Sequence, residues 1–261
     1  MKLVVLIPVH RNQSGLERSL LSLKAADGTF DVVVVDDGSP EPLHLPPGFQ
    51  HGTNISVLRI EKNRGIAAAL NHGLRHILAH GYSYVGRLDA GDAVASDRFS
   101  QQVGYLESHP ECAVVSSFVE FVDASQRVLF RYRAPCEHLR IRQALRLNNC
   151  VMHPGATIRA CAFQECGLYR EDVLGAEDYE LFLRMSQTYT LAVLPEVLTY
   201  MEYSPSGLSL SGRRLQQRTR LKLQLRYFDL GSPYSFLGVS RTLMAMLVPQ
   251  FAVLRLKRHL Y

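Results

Sequence analysis

Several common sequence signals are missing from this chain of 261 residues. Its five cysteines form an odd set without a CxxC pair, so no disulfide framework is indicated. The opening segment MKLVVLIPVHRN lacks the small-residue cleavage site of a secretory signal. Its apolar run ends at Pro8, far short of a membrane span, and predicts a buried first strand. These absences favour the reducing cytosol.

Other absences narrow the class of protein. The fingerprint GxGxxG is missing where the first predicted strand ends, which argues against a dinucleotide oxidoreductase. No internal repeat, low-complexity tract or linker precedes Ser204. The net charge is only +5, and the basic residues crowd the tail from Arg213 onward, so no nucleic-acid partner is expected. With 47% hydrophobic residues, the chain can build one large domain, or a main domain with a small appendage.

The first part of the chain alternates between strand-like and helical patterns. Short runs rich in β-branched residues are apolar on both faces, as expected of parallel strands covered by helices. These runs are residues 3–7, 32–35, 55–60 and 82–88. Helical patterns occupy residues 16–24 and 66–80, and Gly81 ends the second. The alternation predicts a right-handed βαβ sheet.

Beyond residue 110 the order of elements changes. Strand-like runs precede a helix over residues 138–147, and the strand-like ATIRA, the helix EDYELFLRMSQ and two short strands follow. This order predicts an α+β second half laid against the first. We therefore expect one domain over residues 1–203, divided into halves 1–110 and 111–203, and a tail over residues 204–261. Its start, residues 204–214, is rich in Ser, Gly and Pro and predicts a mobile loop.

Two acidic clusters directly follow predicted strands. VVVVDDGS contains Asp36 and Asp37, and YVGRLDAGD contains Asp89 and Asp92. The carboxyl ends of neighbouring parallel strands open onto one crevice, where open α/β sheets bind ligands. An Asp pair there can accept hydrogen bonds from a base and a ribose, while one or two carboxylates and substrate phosphates can hold a divalent cation. Alone, Asp36 and Asp37 also fit an Asx-type turn.

Another acidic pair, Glu177 and Asp178, opens a helical pattern in the second half. Such a pair can supply a general base, but acids are also common in the first turn of a helix. The sequence His153-Pro154-Gly155 is similarly open to two interpretations, a functional histidine or a hydrogen-bonded turn residue. Together the acidic clusters predict a site for a nucleotide, a divalent cation and a base.

Four segments carry a resemblance to a known family. VVVVDDGS, NRGIAAALNHGL, GRLDAGD and GAEDYELFLRM, in this order and at these separations, resemble the inverting glycosyltransferases of family 2. The resemblance spans residues 2–203. It implies the GT-A fold, a Rossmann-like, mostly parallel central sheet flanked by helices, with an α+β acceptor half and a C-terminal helical tail. It also implies sugar transfer from a nucleotide-diphosphate sugar, UDP being favoured, to a saccharide or lipid-linked acceptor in bacterial lipopolysaccharide or capsule assembly.

The resemblance also implies roles for individual residues. Asp178 matches the catalytic base, and Glu177 and His153 would lie near the acceptor. Asp89 would hold the divalent cation, Mn²⁺ or Mg²⁺, and Asp92, a water or diphosphate oxygens would complete its coordination. The nucleotide would be bound by Pro8, Val9, Arg11, Asp36, Asp37, Asn63, Gly65 and Asp89.

Two positions depart from the family pattern. Gly91 stands where members usually carry Asp, and TYMEYSPSGLS replaces a stretch that often contains Arg and His. We therefore expect the diphosphate to be bound by Arg213 or Arg214. The helix dipole near Asp178 favours the carboxylate, so we expect a lowered pKa and a base that acts through its position.

The tail and the function each leave alternatives open. Residues 213–228 are basic and amphipathic, and residues 236–254 approach spanning length but are interrupted by Arg241 and Pro249. They predict either a helix packed on the domain or, as we favour, a peripheral contact with the inner face of the cytoplasmic membrane. Alternative functions are a sugar nucleotidyltransferase, of whose phosphate loop HRNQSG is a weak version, and a nucleotide-binding module inactivated by the change at Gly91.

Overall fold

The computed structural model describes residues 2–46, 54–203 and 213–247. Within these residues nine strands form a single sheet. The strands are β1 Leu3–Val9, β2 Phe30–Asp37, β3 Ile55–Ile60, β4 Tyr84–Arg87, β5 Ala93–Val94, β6 Cys112–Val122, β7 Val128–Tyr132, β8 Thr157–Arg159 and β9 Thr190–Glu202. The helices are α1 Gln13–Lys24, α2 Ile66–Ala79, α3 Arg98–Ser108, α4 His138–Leu147, α5 Ala160–Cys166, α6 Glu177–Met185, α7 Arg213–Arg226 and α8 Pro233–Leu247, with a 3-10 turn at His153–Gly155.

The sheet has the strand order β3-β2-β1-β4-β8-β6-β9-β5, and β7 pairs with β6. The first four strands in this order are parallel. The short β8 runs antiparallel between β4 and β6, and β6 and β9 are again parallel. The carboxyl ends of β1, β2 and β4 therefore lie at one edge of the sheet, where the loops that follow them meet.

Alternation along the strands explains why β1 and β2 are apolar throughout. Val4 and Leu6 pack into the core on one face of the sheet, while Val5 and Ile7 pack into the core on the other. The prediction of two buried faces is wrong for β3, because it lies at the sheet edge and Val57 is 41% exposed. The predicted strand and helix alternation also stops between β2 and β3, where residues 38–46 and 54 form no helix.

The tail helices pack on α4 in the part of the tail that the structure describes. Gly238 in α8 lies so close to α4 that a Cβ atom there would stand 2.0 Å from the carbonyl oxygen of Arg146. Gln224 donates to the carbonyl oxygen of Leu147 at 3.1 Å, and Arg146 pairs with Asp229 at 2.5 Å. This geometry supports the packed-helix alternative for residues 213–247. No helix in the described ranges combines the length and hydropathy needed to cross a bilayer.

The loop predicted for residues 204–214 lies mostly outside the described residues. Its last two members, Arg213 and Arg214, begin α7. They therefore belong to a helix and not to the mobile loop that was predicted for them. Their contact with a diphosphate stays a prediction. The far end of the tail, residues 248–261, also lies outside the described residues, as does the end of the apolar stretch at residues 236–254.

Candidate functional site

Asp36 is buried at the end of β2 and is occupied by contacts within the protein. Its Oδ1 accepts from the backbone N–H of Ser39 at 2.9 Å, and its Oδ2 pairs with Nη1 of Arg59 at 2.6 Å. Arg59 also donates to the carbonyl oxygen of Ser39 at 2.7 Å. Asp36 therefore caps the turn after β2 through a residue three positions on, one more than in an Asx turn, and a guanidinium from β3 braces it.

Asp37 joins the end of β2 to the start of α2. Its two carboxylate oxygens accept from the backbone N–H groups of Arg64 and Gly65 at 2.8 and 2.9 Å. The adjacent Gly38 has φ of +68°, and a Cβ atom there would lie 2.5 Å from the backbone nitrogen of Asn63. Glycine is needed at this point because the backbone after β3 passes directly beside it.

The other predicted nucleotide residues surround these turns. Pro8 and Val9 are buried at the end of β1, while Arg11 and Asn63 are exposed. Arg11 adopts φ of +53°, unusual for a residue with a side chain, and its N–H donates to Ser39 Oγ at 3.0 Å. The structure thus places the loops after β1, β2 and β3 together. The role of these residues in nucleotide binding stays a prediction.

Asp89 follows β4 and is paired with a buried arginine. Arg87 is 1% exposed, and its Nη2 lies 2.5 Å from Oδ1 of Asp89, whose side chain is 45% exposed. Nη1 of Arg87 donates to the carbonyl oxygens of Leu6 and Leu88, both at 2.9 Å. The guanidinium therefore ties the Asp89 loop to β1 and fixes one carboxylate oxygen.

Arg87 also reaches His153 in the 3-10 turn. Its Nε donates to His153 Nε2 at 3.2 Å, and the hydroxyl of Tyr169 lies 2.6 Å from the same nitrogen. Burial and the charge of Arg87 hold the pKa of His153 well below its ordinary value. The imidazole is therefore neutral and accepts at Nε2. The sequence left the histidine open as a turn residue or an acceptor contact, and the structure places it inside the protein.

Asp178 lies in the first turn of α6, as predicted, and is half-buried. Its Oδ2 accepts from Nδ2 of Asn149 at 2.8 Å, and its Oδ1 accepts from the backbone N–H of Tyr179 at 2.7 Å. Asn149 comes from the loop after α4. Two elements separated by about thirty residues thus fix the orientation of this carboxyl group.

The expected lowering of the Asp178 pKa is wrong in direction. Burial raises it, the charge of Asp89 raises it further, and hydrogen bonds from Tyr179 and Asn149 only partly oppose this shift. Burial and the charge of Asp178 also raise the pKa of Glu177 to about 7. The helix dipole is outweighed because loss of hydration penalises a buried charge more strongly.

Charges from three parts of the chain meet around Tyr169. Burial raises the pKa of its hydroxyl, the charge of Arg87 lowers it, and the charges of Asp178, Glu177 and Asp89 raise it. The loop after β4 and the start of α6 therefore approach one buried hydroxyl, although Asp89 and Asp178 are far apart in sequence. Asp89 and the pair Glu177 and Asp178 therefore act on one hydroxyl, and their joint role in a site stays a prediction.

Asp89 suits a divalent cation better than Asp92 does. Asp92 is 6% exposed, its Oδ1 accepts from the backbone N–H of Glu202 at 3.1 Å, and burial raises its pKa. Among the described residues no three His, Cys, Asp or Glu side chains form a metal cluster. A cation that also binds a diphosphate needs only one or two carboxylates. Asp89 is accessible to such a cation and Asp92 is buried, while metal binding by either residue stays a prediction.

The neighbourhood of Gly91 contains charged groups that the sequence did not indicate. A Cβ atom at Gly91, whose φ is +116°, would lie 3.2 Å from Glu202 Oε2 and 3.7 Å from Nη2 of Arg18. Arg18 and Glu202 form an ion pair. An aspartate at position 91 would therefore face the carboxylate of Glu202, which gives a physical reason for glycine there.

Arg87, Tyr169 and Asn149 are site residues that were not predicted from the sequence. Arg87 lies inside the quoted motif GRLDAGD, and its place in an otherwise apolar strand was a detectable signal. Tyr169 and Asn149 gave no comparable signal, because their roles depend on contacts with residues 16 and 29 positions away.

Residues 4–167 match the family described as Glycosyl transferase family 2. The amylovoran biosynthesis glycosyltransferase AmsE of Erwinia amylovora is 30% identical over 95% of this chain and 96% of its own length. TarS of S. aureus (residues 1–349), solved with UDP-GlcNAc, shares the fold with a TM-score of 0.69 and 18% identity, over 93% of this chain and 72% of that one.

The mannosyltransferase PcManGT of Pyrobaculum calidifontis, solved with GDP-Man and Mn²⁺, also shares the fold. Its TM-score is 0.64 at 18% identity, over 95% of this chain and 70% of that one. These neighbours confirm the GT-A fold that the sequence resemblance implied. By the family match and the relative at 30% identity, the chain belongs to glycosyl transferase family 2.

Proposed function

We propose that this glycosyltransferase moves a sugar, with inversion, from a UDP-sugar to a saccharide or lipid-linked oligosaccharide in cell-surface polysaccharide assembly. The observation that carries the proposal is the chain of contacts from Asp89 through Arg87 and His153 to Tyr169, whose hydroxyl also feels the charges of Glu177 and Asp178. It brings a carboxylate suited to a cation and a carboxyl group suited to a base into one electrostatic neighbourhood. Inverting transfer needs these two functions on opposite sides of the reacting carbon.

Asp178 is the proposed base. It takes the proton of the acceptor hydroxyl as the oxygen attacks the sugar carbon, and the bond to the nucleotide diphosphate breaks on the opposite side. The raised pKa brings the carboxyl group closer to the operating pH, which increases its effectiveness as a base. Glu177 lies beside it on the acceptor side. Buried His153 supports this side through Tyr169 and Arg87.

The donor is proposed to bind at the loops after β1, β2 and β4. Asp89, held in place by Arg87, is the proposed protein ligand for Mn²⁺ or Mg²⁺. When bound, such a cation stabilises the negative charge of the departing diphosphate. The base and ribose are assigned to the rim formed by Arg11, Asn63 and Gly65, with Asp36 and Asp37 holding its turns in shape.

Similar proteins support a nucleotide-sugar donor and a role in polysaccharide assembly. A relative similar along its whole length is named for amylovoran biosynthesis, and a structural neighbour was solved with UDP-GlcNAc. We propose that a lipid-linked acceptor brings the enzyme to the inner face of the cytoplasmic membrane, where its nucleotide donor is also present.

Calorimetry with a panel of UDP- and GDP-sugars, with and without Mn²⁺, tests the donor site. We expect one UDP-sugar to bind, and Mn²⁺ to increase its affinity. Asp89→Ala should abolish the Mn²⁺ effect because it removes the proposed ligand. Asp27→Ala is the matched control, since Asp27 is exposed and precedes β2 at the opposite end of the sheet.

Other outcomes of the titration count against the proposal. Retention of the full Mn²⁺ effect in Asp89→Ala would reject the metal assignment. Binding of a nucleotide sugar without any turnover on saccharide or lipid-linked acceptors would instead favour the inactive nucleotide-binding module. Formation of a nucleotide sugar from a sugar phosphate and UTP would favour the nucleotidyltransferase.

A further inference from the structure

Helix α8 has its small and polar residues inside and its large apolar residues outside. The inward face carries Ser235, Gly238 and Thr242, of which Ser235 and Thr242 are 3% and 2% exposed. The outward residues are Phe236 52%, Leu237 50%, Leu243 47%, Met244 58%, Met246 38% and Leu247 82% exposed. This pattern is the reverse of a helix that stabilises a core, and we call these six outward residues the α8 apolar face.

The inward residues explain why α8 still packs firmly. Gly238 allows the helix to approach the end of α4, and Ser235 Oγ lies 3.3 Å from Nε of Arg146 and accepts from the N–H of Asp229 at 3.2 Å. Polar contacts and close approach therefore hold the helix. Among the outward residues Phe236 packs edge-on against Phe228, while the other five remain 38–82% exposed, and this exposure requires another explanation.

The size of α8 suits a helix that lies on a membrane. Its 15 residues span about 22 Å at 1.5 Å per residue, less than the roughly 30 Å of the hydrocarbon core. A helix of this length with Phe, Leu and Met along one face can place that face at the boundary between head groups and acyl chains.

The positive charge of residues 213–247 favours an anionic lipid surface over a second copy of the chain as the binding partner. Residues 213–247 contain seven Arg and Lys but a single acid, Asp229, which is paired with Arg146. Arg218, Lys222, Arg226 and Arg241 are exposed. A symmetric dimer through this surface would bring like charges together, whereas each cation near anionic lipid contributes about 1 kcal/mol of attraction.

We propose that the α8 apolar face, with the basic residues of α7 and α8, docks on an anionic lipid surface. Only the biological role of this docking rests on the proposed function: it would bring the acceptor side of the enzyme to a lipid-linked substrate. The docking itself depends on the shape and charge of residues 213–247 alone.

Vesicle sedimentation of the full-length chain tests the docking without catalysis. We expect binding to vesicles of phosphatidylcholine with phosphatidylglycerol, weaker binding to phosphatidylcholine alone, and weakening by salt. Leu237→Glu with Met244→Glu should reduce partitioning at least about tenfold, because two apolar contacts are lost and two repelled charges are added. Leu21→Glu on α1 is the matched control, since Leu21 is 60% exposed and lies on another surface.

Three outcomes would overturn the docking. They are equal sedimentation of the double variant and the wild type, absence of wild-type binding to anionic vesicles, and a dimer in gel filtration that the double variant dissociates. Nucleotide-sugar calorimetry on the double variant separates this inference from the proposed function. We expect donor binding to be unchanged, and failure of donor binding in the wild type would count against the function and not the docking.

Discussion

The acidic residues after β2 and those at the start of α6 have hydrogen-bond donors of different kinds. Asp37 receives two backbone N–H groups at the start of α2, and Asp36 receives one N–H and a guanidinium from β3. Asp178 receives one side-chain amide and one N–H, and burial still raises its pKa. The donors after β2 therefore tie neighbouring segments together, whereas those of Asp178 orient a single carboxyl group.

This difference separates a supporting role from a reactive one. The carboxylates after β2 hold the turns that shape the donor side, and the charged form is the one that their donors stabilise. Burial and a neighbouring charge raise the pKa of both Glu177 and Asp178, and the two donors to Asp178 only partly oppose this shift. A carboxyl group with a raised pKa binds a proton more readily than an ordinary one, as suits a general base.

Replacing the carboxyl group of Asp178 by an amide should have the largest effect on turnover. Asp178→Asn removes the proposed base, so we expect turnover to fall by about 10² to 10⁴-fold, with donor affinity nearly unchanged. Release of the nucleoside diphosphate in the presence of acceptor measures the turnover, and calorimetry measures the affinity for the donor. Turnover close to that of the wild type would remove Asp178 from the mechanism.

The same substitution should change the pH dependence of stability. The folded-state pKa of Asp178 is raised, so wild-type stability falls as the pH rises from the ordinary aspartate pKa towards the raised one. The amide of Asp178→Asn turns an NH₂ group toward Asn149 or the N–H of Tyr179, which costs stability at any pH, but it removes this titration. The free energy of unfolding of the variant relative to the wild type should therefore rise across that pH range, as urea unfolding at a series of pH values can show. A loss that grows with pH would contradict the effect of burial.

The strands and the helix start that carry these acidic residues could be predicted from local patterns in the sequence. Apolar residues on both faces of β1 and β2 identified them as buried strands, and Glu177 and Asp178 were placed correctly at the start of a helix. The order of the four quoted segments indicated the family, which the family match confirmed.

The electrostatic state of each cluster could not be predicted, because it depends on partners brought in by tertiary structure. Asp36 pairs with Arg59 only because the register of β2 and β3 sets them side by side. The helix dipole was visible in the sequence near Asp178, but the extent of burial was not, so the predicted direction of its pKa shift was wrong. The edge position of β3 was likewise fixed by strand order.

An amide at Asp37 should have a smaller effect, which appears as a loss of stability. The amide of Asp37→Asn keeps one acceptor oxygen but turns an NH₂ group toward a backbone N–H of Arg64 or Gly65. We therefore expect the free energy of unfolding to fall by about 1–3 kcal/mol, the cost of leaving a buried donor unsatisfied. Urea unfolding measures it, with Asp27→Asn as the exposed control. Equal stability of the two variants would show that the N–H contacts contribute little.

The smallest effect is expected when a hydrogen-bond donor to Asp178 is removed and the carboxyl group itself is kept. The base acts as a carboxylate, so turnover should be lost as the pH falls through its raised pKa. Asn149→Ala removes an amide whose hydrogen bond lowers that pKa, so the acid limb of the kcat profile should move to higher pH. Asn148→Ala, at the exposed neighbouring position, should leave the limb in place. A limb that stays fixed in Asn149→Ala, or moves to lower pH, would mean that another group controls the rate, because loss of this donor can only favour the protonated form of Asp178.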